Sequence, residues 1–290
     1  MGLLDGKVVV VTGAGRGLGR SIAIEAGVQG AAVVVADYGV SVDGGDPSST
    51  VADEVAAEIT QAGGSAVAVG ETVVEMAGAK RIIDTALERF GRLDGVVCSA
   101  GLMRPGHFLE LSEEDWDNVV ATHLRGHFAV LQTGARAMVE RDIAGSMIAM
   151  GSGYLSGTGL LANYRAAKAG VLALALTAAI DLADKGIRVN CIAPAANTRM
   201  TEAFNVKVHG EAADVAPMAT YLLSDLSREV NGQIFSIAGG RISGWADPYQ
   251  DYTATKEGRW SPEEISREIP NLVRVHPSDG AGVLASTPIN

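Results

Sequence analysis

Four consecutive valines, Val8 to Val11, run through Thr12 into Gly13-Ala14-Gly15-Arg16-Gly17-Leu18-Gly19. A strand that is apolar at every position must be covered on both faces, and glycines directly after it allow a tight turn into a helix. That unit recurs. Short apolar runs at Val8–Val11, Ala32–Ala36, Ala66–Val69, Gly95–Cys98, Ser146–Met150, Arg188–Ile192 and Gln233–Ile237 are predicted strands. Between them, helical patterns are predicted at Leu18–Gln29, Thr50–Ala62, Ala77–Phe90, Glu113–Leu124 continuing towards Glu140, Asn163–Lys185 and Ala212–Ser224. Strand–helix alternation with right-handed crossovers gives an α/β fold, a doubly wound parallel sheet of about seven strands. The abundance of glycine (36) and scarcity of aromatics (5%) suit such a sheet better than a sandwich.

Two segments interrupt the rhythm. Val40–Ser49 is a Gly/Asp/Ser/Pro loop after the second strand, and residues 241–290 form an extension containing Trp245, Tyr249, Tyr252 and Trp260. The expected organisation is therefore one domain over 1–240 and an aromatic-rich extension over 241–290. The extension would pack on the domain, roof a pocket or reach a neighbouring subunit. Within it, Ser261-Pro262-Glu263-Glu264 is a helix start and Pro270 its expected end. Ser112-Glu113-Glu114-Asp115 opens another helix with a capping box.

The net charge of −11 argues against a nucleic-acid surface, which needs clustered Lys and Arg. Cys98 and Cys191 lie in apolar runs and read as buried inert thiols. The start of the chain lacks a signal-peptide pattern, and the longest apolar run, Val171 to Ile180, is too short to cross a bilayer. A soluble cytoplasmic protein, without membrane or nucleic-acid partners, is the expectation.

A glycine motif that follows a strand and opens a helix in the first βαβ unit is a dinucleotide fingerprint. Gly13 serves the tight turn, Gly17 the backbone's approach to phosphates, and Gly19 the packing of helix on strand, with Arg16 and Leu18 between them. The helix N-terminus then offers free N–H groups to a pyrophosphate. Asp37 ends the second strand, where the adenosine ribose lies in this Rossmann arrangement; a carboxylate there accepts both ribose hydroxyls and repels a 2′-phosphate. NAD is the expected cofactor, with NADP the alternative and no metal.

Tyr164 and Lys168 are four residues apart and share one helix face. An ammonium about 4 Å from a phenol, at an effective dielectric near 20, supplies roughly 4 kcal/mol, or about three pKa units. The expectation is a tyrosine brought close to working pH as an acid–base group.

Together, Gly13 to Gly19 and Tyr164-x-x-x-Lys168 resemble the short-chain dehydrogenase/reductase family over about residues 4 to 240. The resemblance implies hydride transfer between a secondary alcohol carbon and nicotinamide, with Tyr164 moving the proton and Lys168 also binding the nicotinamide ribose. It implies a serine thirteen residues before the tyrosine, but Gly151 stands there. Ser152 is the candidate, Ser156 the fallback, and a one-residue deletion before Gly157 would account for the shift. His123 stands where the family usually has Asn, as a relay residue linking Lys168 to solvent through a water or as a helix-packing histidine. Glu71 and Thr72 would lie at the adenine, with a surface turn the alternative for Glu71. Ser99-Ala100-Gly101 (Asn-Ala-Gly in the family), Pro194 and Thr198 would line the cofactor. A basic residue such as Arg16 often accompanies NADP in the family.

Further details resemble one branch, the (3R)-hydroxyacyl-CoA dehydrogenase unit of peroxisomal type-2 multifunctional enzyme and its stand-alone bacterial relatives. They are Leu4-Asp5-Gly6-Lys7, Asp37-Tyr38-Gly39, Glu114-Asp115-Trp116-Asp117, His123, Ile192-Ala193-Pro194 and Arg199-Met200-Thr201. Leu160-Leu161 depart from its usual Gly-Gln, and no hydratase or sterol-carrier segment follows. Arg104, Arg199, Lys207 and Arg241 are candidate cations for a CoA phosphate, or ordinary solvated charges. The implied activity is NAD(H)-linked interconversion of an alcohol and a ketone on a 3-hydroxyacyl-CoA or hydroxysteroid-like substrate, by a homodimer or homotetramer. The alternatives are an NADPH-dependent 3-oxoacyl reductase and a non-catalytic dinucleotide-sensing protein.

Overall fold

The computed structural model describes residues 2–40, 48–152, 159–203, 210–246 and 253–272. Seven parallel strands and one antiparallel edge strand form a single sheet: β1 Val8–Thr12, β2 Ala32–Ala36, β3 Ser65–Val69, β4 Gly95–Cys98, β5 Ser146–Met150, β6 Arg188–Pro194, β7 Ile234–Ala238 and β8 Arg241–Gly244. The order β3-β2-β1-β4-β5-β6-β7-β8 reverses direction between β1 and β4, and ligands of such sheets bind outside the carboxyl ends of the strands at that crevice. The eighth strand falls where an extension was expected. Gly239 and Gly240 turn the chain back, Arg241–Gly244 pairs with β7, and the Trp245 indole donates to Ser236 Oγ at 2.6 Å. The compact unit holding the sheet accordingly ends at Trp245.

Successive strand residues point to opposite faces, and both faces are apolar. Val8, Val10 and Val34 bury against α3 (Met76–Phe90), α5 (Gly126–Val139) and α6 (Ala162–Asp181). Val9, Val11, Val33 and Val35 bury against α1 (Gly17–Val28), α2 (Thr50–Gln61) and α8 (Ala212–Leu223). The long helix expected from Glu113 is α4 (Glu113–Val120), interrupted by a π-helical turn at Ala121–Arg125 before α5. Ser112 caps α4, accepting from the Asp115 N–H at 3.0 Å. A short α7 (Arg199–Ala203) follows β6.

In a second, smaller unit, Ser261 and Glu264 form the expected capping box of α9 (Pro262–Leu272). The helix runs two residues past Pro270: in the last turn a proline forfeits one backbone bond without a following turn to disrupt. Lys256 pairs with Glu264 at 2.7 Å and lies over the Trp260 ring. Tyr249 and Tyr252 lie outside the described residues. No helix among the described residues is long and apolar enough to cross a membrane.

Candidate active site

The glycine turn is shaped by close approaches that a side chain would fill. A Cβ on Gly13 would lie 2.7 Å from the Ala100 backbone, and one on Gly19 would lie 2.2 Å from the Gly13 carbonyl oxygen. Gly13 and Gly17 have φ of +64° and +52°, the left-handed region glycine enters freely. No side chain caps α1 at Arg16, and its first turn carries no acidic residue. Its N–H groups therefore remain available to an anion, as a pyrophosphate site requires. Thr198, after β6 ends at Pro194, lies 3.8 Å from where a Gly17 Cβ would be. Leu18 packs partly buried against the α1 face of the core.

Asp37 does more than its position announced. Its Oδ2 accepts from Gly15 N–H at 2.8 Å and its Oδ1 from Gly39 N–H at 2.7 Å, so one carboxylate straps the glycine turn to the end of β2. Arg16 donates to the Val40 carbonyl at 3.1 Å. Partial burial, then the nearby positive charge of Arg16, pulls Arg199 down, while Asp37 pulls it up; the three charges share one neighbourhood. Thr12 Oγ1 receives the N–H groups of Ser99 and Ala100 at 3.2 and 3.3 Å, holding that small-residue segment against β1. Glu71 is spent elsewhere: Arg81 binds it through two nitrogens and holds its carboxyl below the usual range. Its neighbour Thr72 accepts from Val74 N–H at 3.2 Å.

Around Tyr164 the cleft is built of side chains. The Ser152 side chain faces the Tyr164 phenol and opposes the effect of its burial. A Cβ at Gly151 would lie 2.7 Å from Leu172 Cδ2, so a serine there would press on that leucine's methyl. Ser156 and Gly157 lie outside the described residues. His123, 1% exposed, packs edge-on to Tyr164 with ring centroids 5.1 Å apart. Its Nε2 lies 2.8 Å from the Leu102 carbonyl oxygen, and the Leu102 N–H points at the same nitrogen at 3.3 Å. The π-helical turn presents the His123 carbonyl to His127 Nδ1, which donates to it at 2.6 Å. Gly101 is required here, since a Cβ would lie 2.4 Å from His123 Cε1.

The electrostatics correct the sequence expectation. The Lys168 ammonium donates to the Met150 carbonyl and lies 5.7 Å from the Tyr164 ring centre. Burial pushes the Tyr164 phenol above its ordinary value, opposed first by the Ser152 hydrogen bond and then by the charge of Arg165. Burial likewise pulls Lys168 down to about 8. Burial, then the Lys168 charge, drives His123 well below the usual histidine range and His127 to about 3, so both rings are neutral. His123 thus packs against Tyr164 and holds Leu102. Burial pushes the Cys191 thiol up to about 12 and Cys98 higher still, as inert thiols should be.

Of the candidate phosphate cations, Arg104 is paired with Asp115 at 3.3 Å, and Arg241 lies exposed on β8. Arg199 has no ion pair among the described residues, and Lys207 lies outside them.

The short chain dehydrogenase family model matches residues 7–209. Hydroxyacyl-CoA dehydrogenase ChsB1 of Mycobacterium tuberculosis is 36% identical over 284 residues, covering 92% of this chain and 88% of that protein. The peroxisomal multifunctional enzyme type 2 of Mus musculus is 39% identical over 241 residues, covering 82% of this chain but 32% of the mouse protein. A crystal structure of a short chain dehydrogenase from Mycobacterium avium superposes with a TM-score of 0.84 at 39% identity, covering 93% of this chain and 96% of the other.

Proposed function

The chain belongs to the short-chain dehydrogenase family, a CH–OH oxidoreductase, and from that premise we propose that it is NAD(H)-linked and interconverts a bulky secondary alcohol and its ketone. The substrate class is 3-hydroxyacyl-CoA or a hydroxysteroid-like alcohol, supported by the likeness to ChsB1 and to the mouse enzyme. The observation that carries the reading is Tyr164 buried at the carboxyl end of β5, facing Ser152 and with the Lys168 ammonium 5.7 Å from its ring centre. A bound nicotinamide would supply the hydride chemistry. The glycine turn, the uncapped α1 and the carboxylate of Asp37 would hold its dinucleotide, and the free N–H groups of α1 fit a pyrophosphate.

Ser152 orients the reacting oxygen while Tyr164 gives or takes the proton at it. With its pKa raised by burial, the phenol is protonated at neutral pH and can donate to a carbonyl oxygen. Lys168 keeps a cation beneath the site and would also hold the nicotinamide ribose. A cytoplasmic homodimer or homotetramer belongs to the same reading; Trp116 and Phe128, exposed on α4 and α5, would be covered by such a contact. Arg16 and Arg199 support the second reading, an NADPH-linked 3-oxoacyl reductase, because two arginines beside Asp37 could neutralise a 2′-phosphate.

Turnover of 3-hydroxyacyl-CoA and hydroxysteroid alcohols with NAD and with NADP separates these readings. Expected is a kcat/KM at least about tenfold higher with NAD, and a fall of about 1000-fold in kcat for Tyr164→Phe with NADH affinity nearly unchanged. Preference for NADP would establish the second reading. Retained turnover in Tyr164→Phe would remove the acid–base assignment. Tight NADH binding without turnover would leave a dinucleotide sensor.

A further inference from the structure

Asn163, the residue before Tyr164, has no exposed surface, and each polar atom of its amide is engaged. Nδ2 donates to the Arg104 carbonyl at 2.9 Å and to the Asp115 carbonyl at 3.2 Å. Oδ1 accepts the backbone N–H of Tyr164 at 2.8 Å. One amide therefore joins three pieces of chain: the start of α6, the segment between β4 and α4, and the first turn of α4. The pieces are tied further by the Arg104–Asp115 ion pair and by Gly106 N–H donating to the Leu160 carbonyl at 2.9 Å.

Two nearby carbonyls of the β4–α4 segment are thus gripped by side chains that flank Tyr164. His123, stacked edge-on against the tyrosine, holds Leu102, and Asn163 holds Arg104. We infer that Asn163 is a positioning residue, which fixes the β4–α4 segment against Tyr164 and so sets the phenol's approach to the reacting oxygen. The inference rests on the proposed acid–base role of Tyr164. The residue type follows from the chemistry. Two donors and an acceptor on one short side chain are what asparagine has; aspartate lacks the donors, and glutamine is a methylene too long.

Asn163→Asp dissects the arrangement, because it keeps an acceptor for the Tyr164 N–H and loses both donors. Asn163→Ala loses all three bonds, with Asn163→Ser replacing it should the alanine variant not fold. The readouts are kcat and KM for the alcohol, the Kd for NADH, and hydrogen exchange across residues 102–115 of the full chain. Expected for both variants is a kcat lower by about 10- to 100-fold, with NADH Kd within about threefold and faster exchange at 102–115. Tyr164→Phe, by contrast, should leave that exchange unchanged. Wild-type kcat in Asn163→Asp, or unchanged exchange in both variants, would overturn the inference. A wild-type chain that turns over no alcohol would instead fail the dehydrogenase reading; unchanged exchange in the variants would then refute the anchoring role, and faster exchange would uphold it.

Discussion

Around Gly13–Gly19 the cleft wall is backbone, defined by the side chains it lacks; around Tyr164 it is side chains, with one ammonium felt by Cys98, Cys191, His123 and His127. The first region works by shape and by N–H groups left without partners. The second works by burying titratable groups that would rather be hydrated, and burial there moves every one of them towards its neutral form. The glycine region should therefore fail when atoms are added. The tyrosine region should grow more stable when its charge is removed, while losing its chemistry.

The largest stability effect expected is at Gly13. Gly13→Ala places a Cβ 2.7 Å from the Ala100 backbone in a left-handed residue, and should cost about 3 kcal/mol. Denaturant unfolding measures this; a loss under about 1 kcal/mol would mean that the turn is not held against β4. Next is Lys168→Met, which should raise stability at pH 7 by on the order of 1–3 kcal/mol and abolish turnover. The folded-state pKa of about 8 lies below the ordinary 10.5, so the unfolded chain binds the extra proton between those values. The wild type should therefore gain stability relative to the variant as pH rises from about 8 to 10.5, and hold a constant deficit below 8. A variant less stable than wild type at pH 7 would show that the Met150 hydrogen bond outweighs desolvation.

The smallest effect is at Leu160, whose φ of +75° is unusual for a branched side chain. Leu160→Gly should stabilise the fold by about 0.5 kcal/mol, strain relief being partly offset by the freedom glycine gains when unfolded. Destabilisation would mean that the leucine's contacts outweigh its strain.

The contrast also governs what the sequence disclosed. The strands and glycine turn were legible because they rest on local patterns: runs of valine, and glycine spacing after a strand. The eighth strand was not, since Arg241-Ile242-Ser243-Gly244 has no strand-like composition and is recruited by the edge of β7. That Tyr164 and Lys168 share one helix face was legible from their spacing, but the pKa directions were not, because they depend on how much protein surrounds each group. Asn163 carried no signal beyond standing beside a tyrosine. Its role exists only once Arg104 and Asp115 are brought to it.

The carboxylate of Asp37 has a last consequence for anyone who would re-engineer coenzyme choice. Whatever replaces it inherits two amide hydrogens, from Gly15 and Gly39, and must satisfy both or let the glycine turn drift. A swap at this position is therefore also a repair job on the turn.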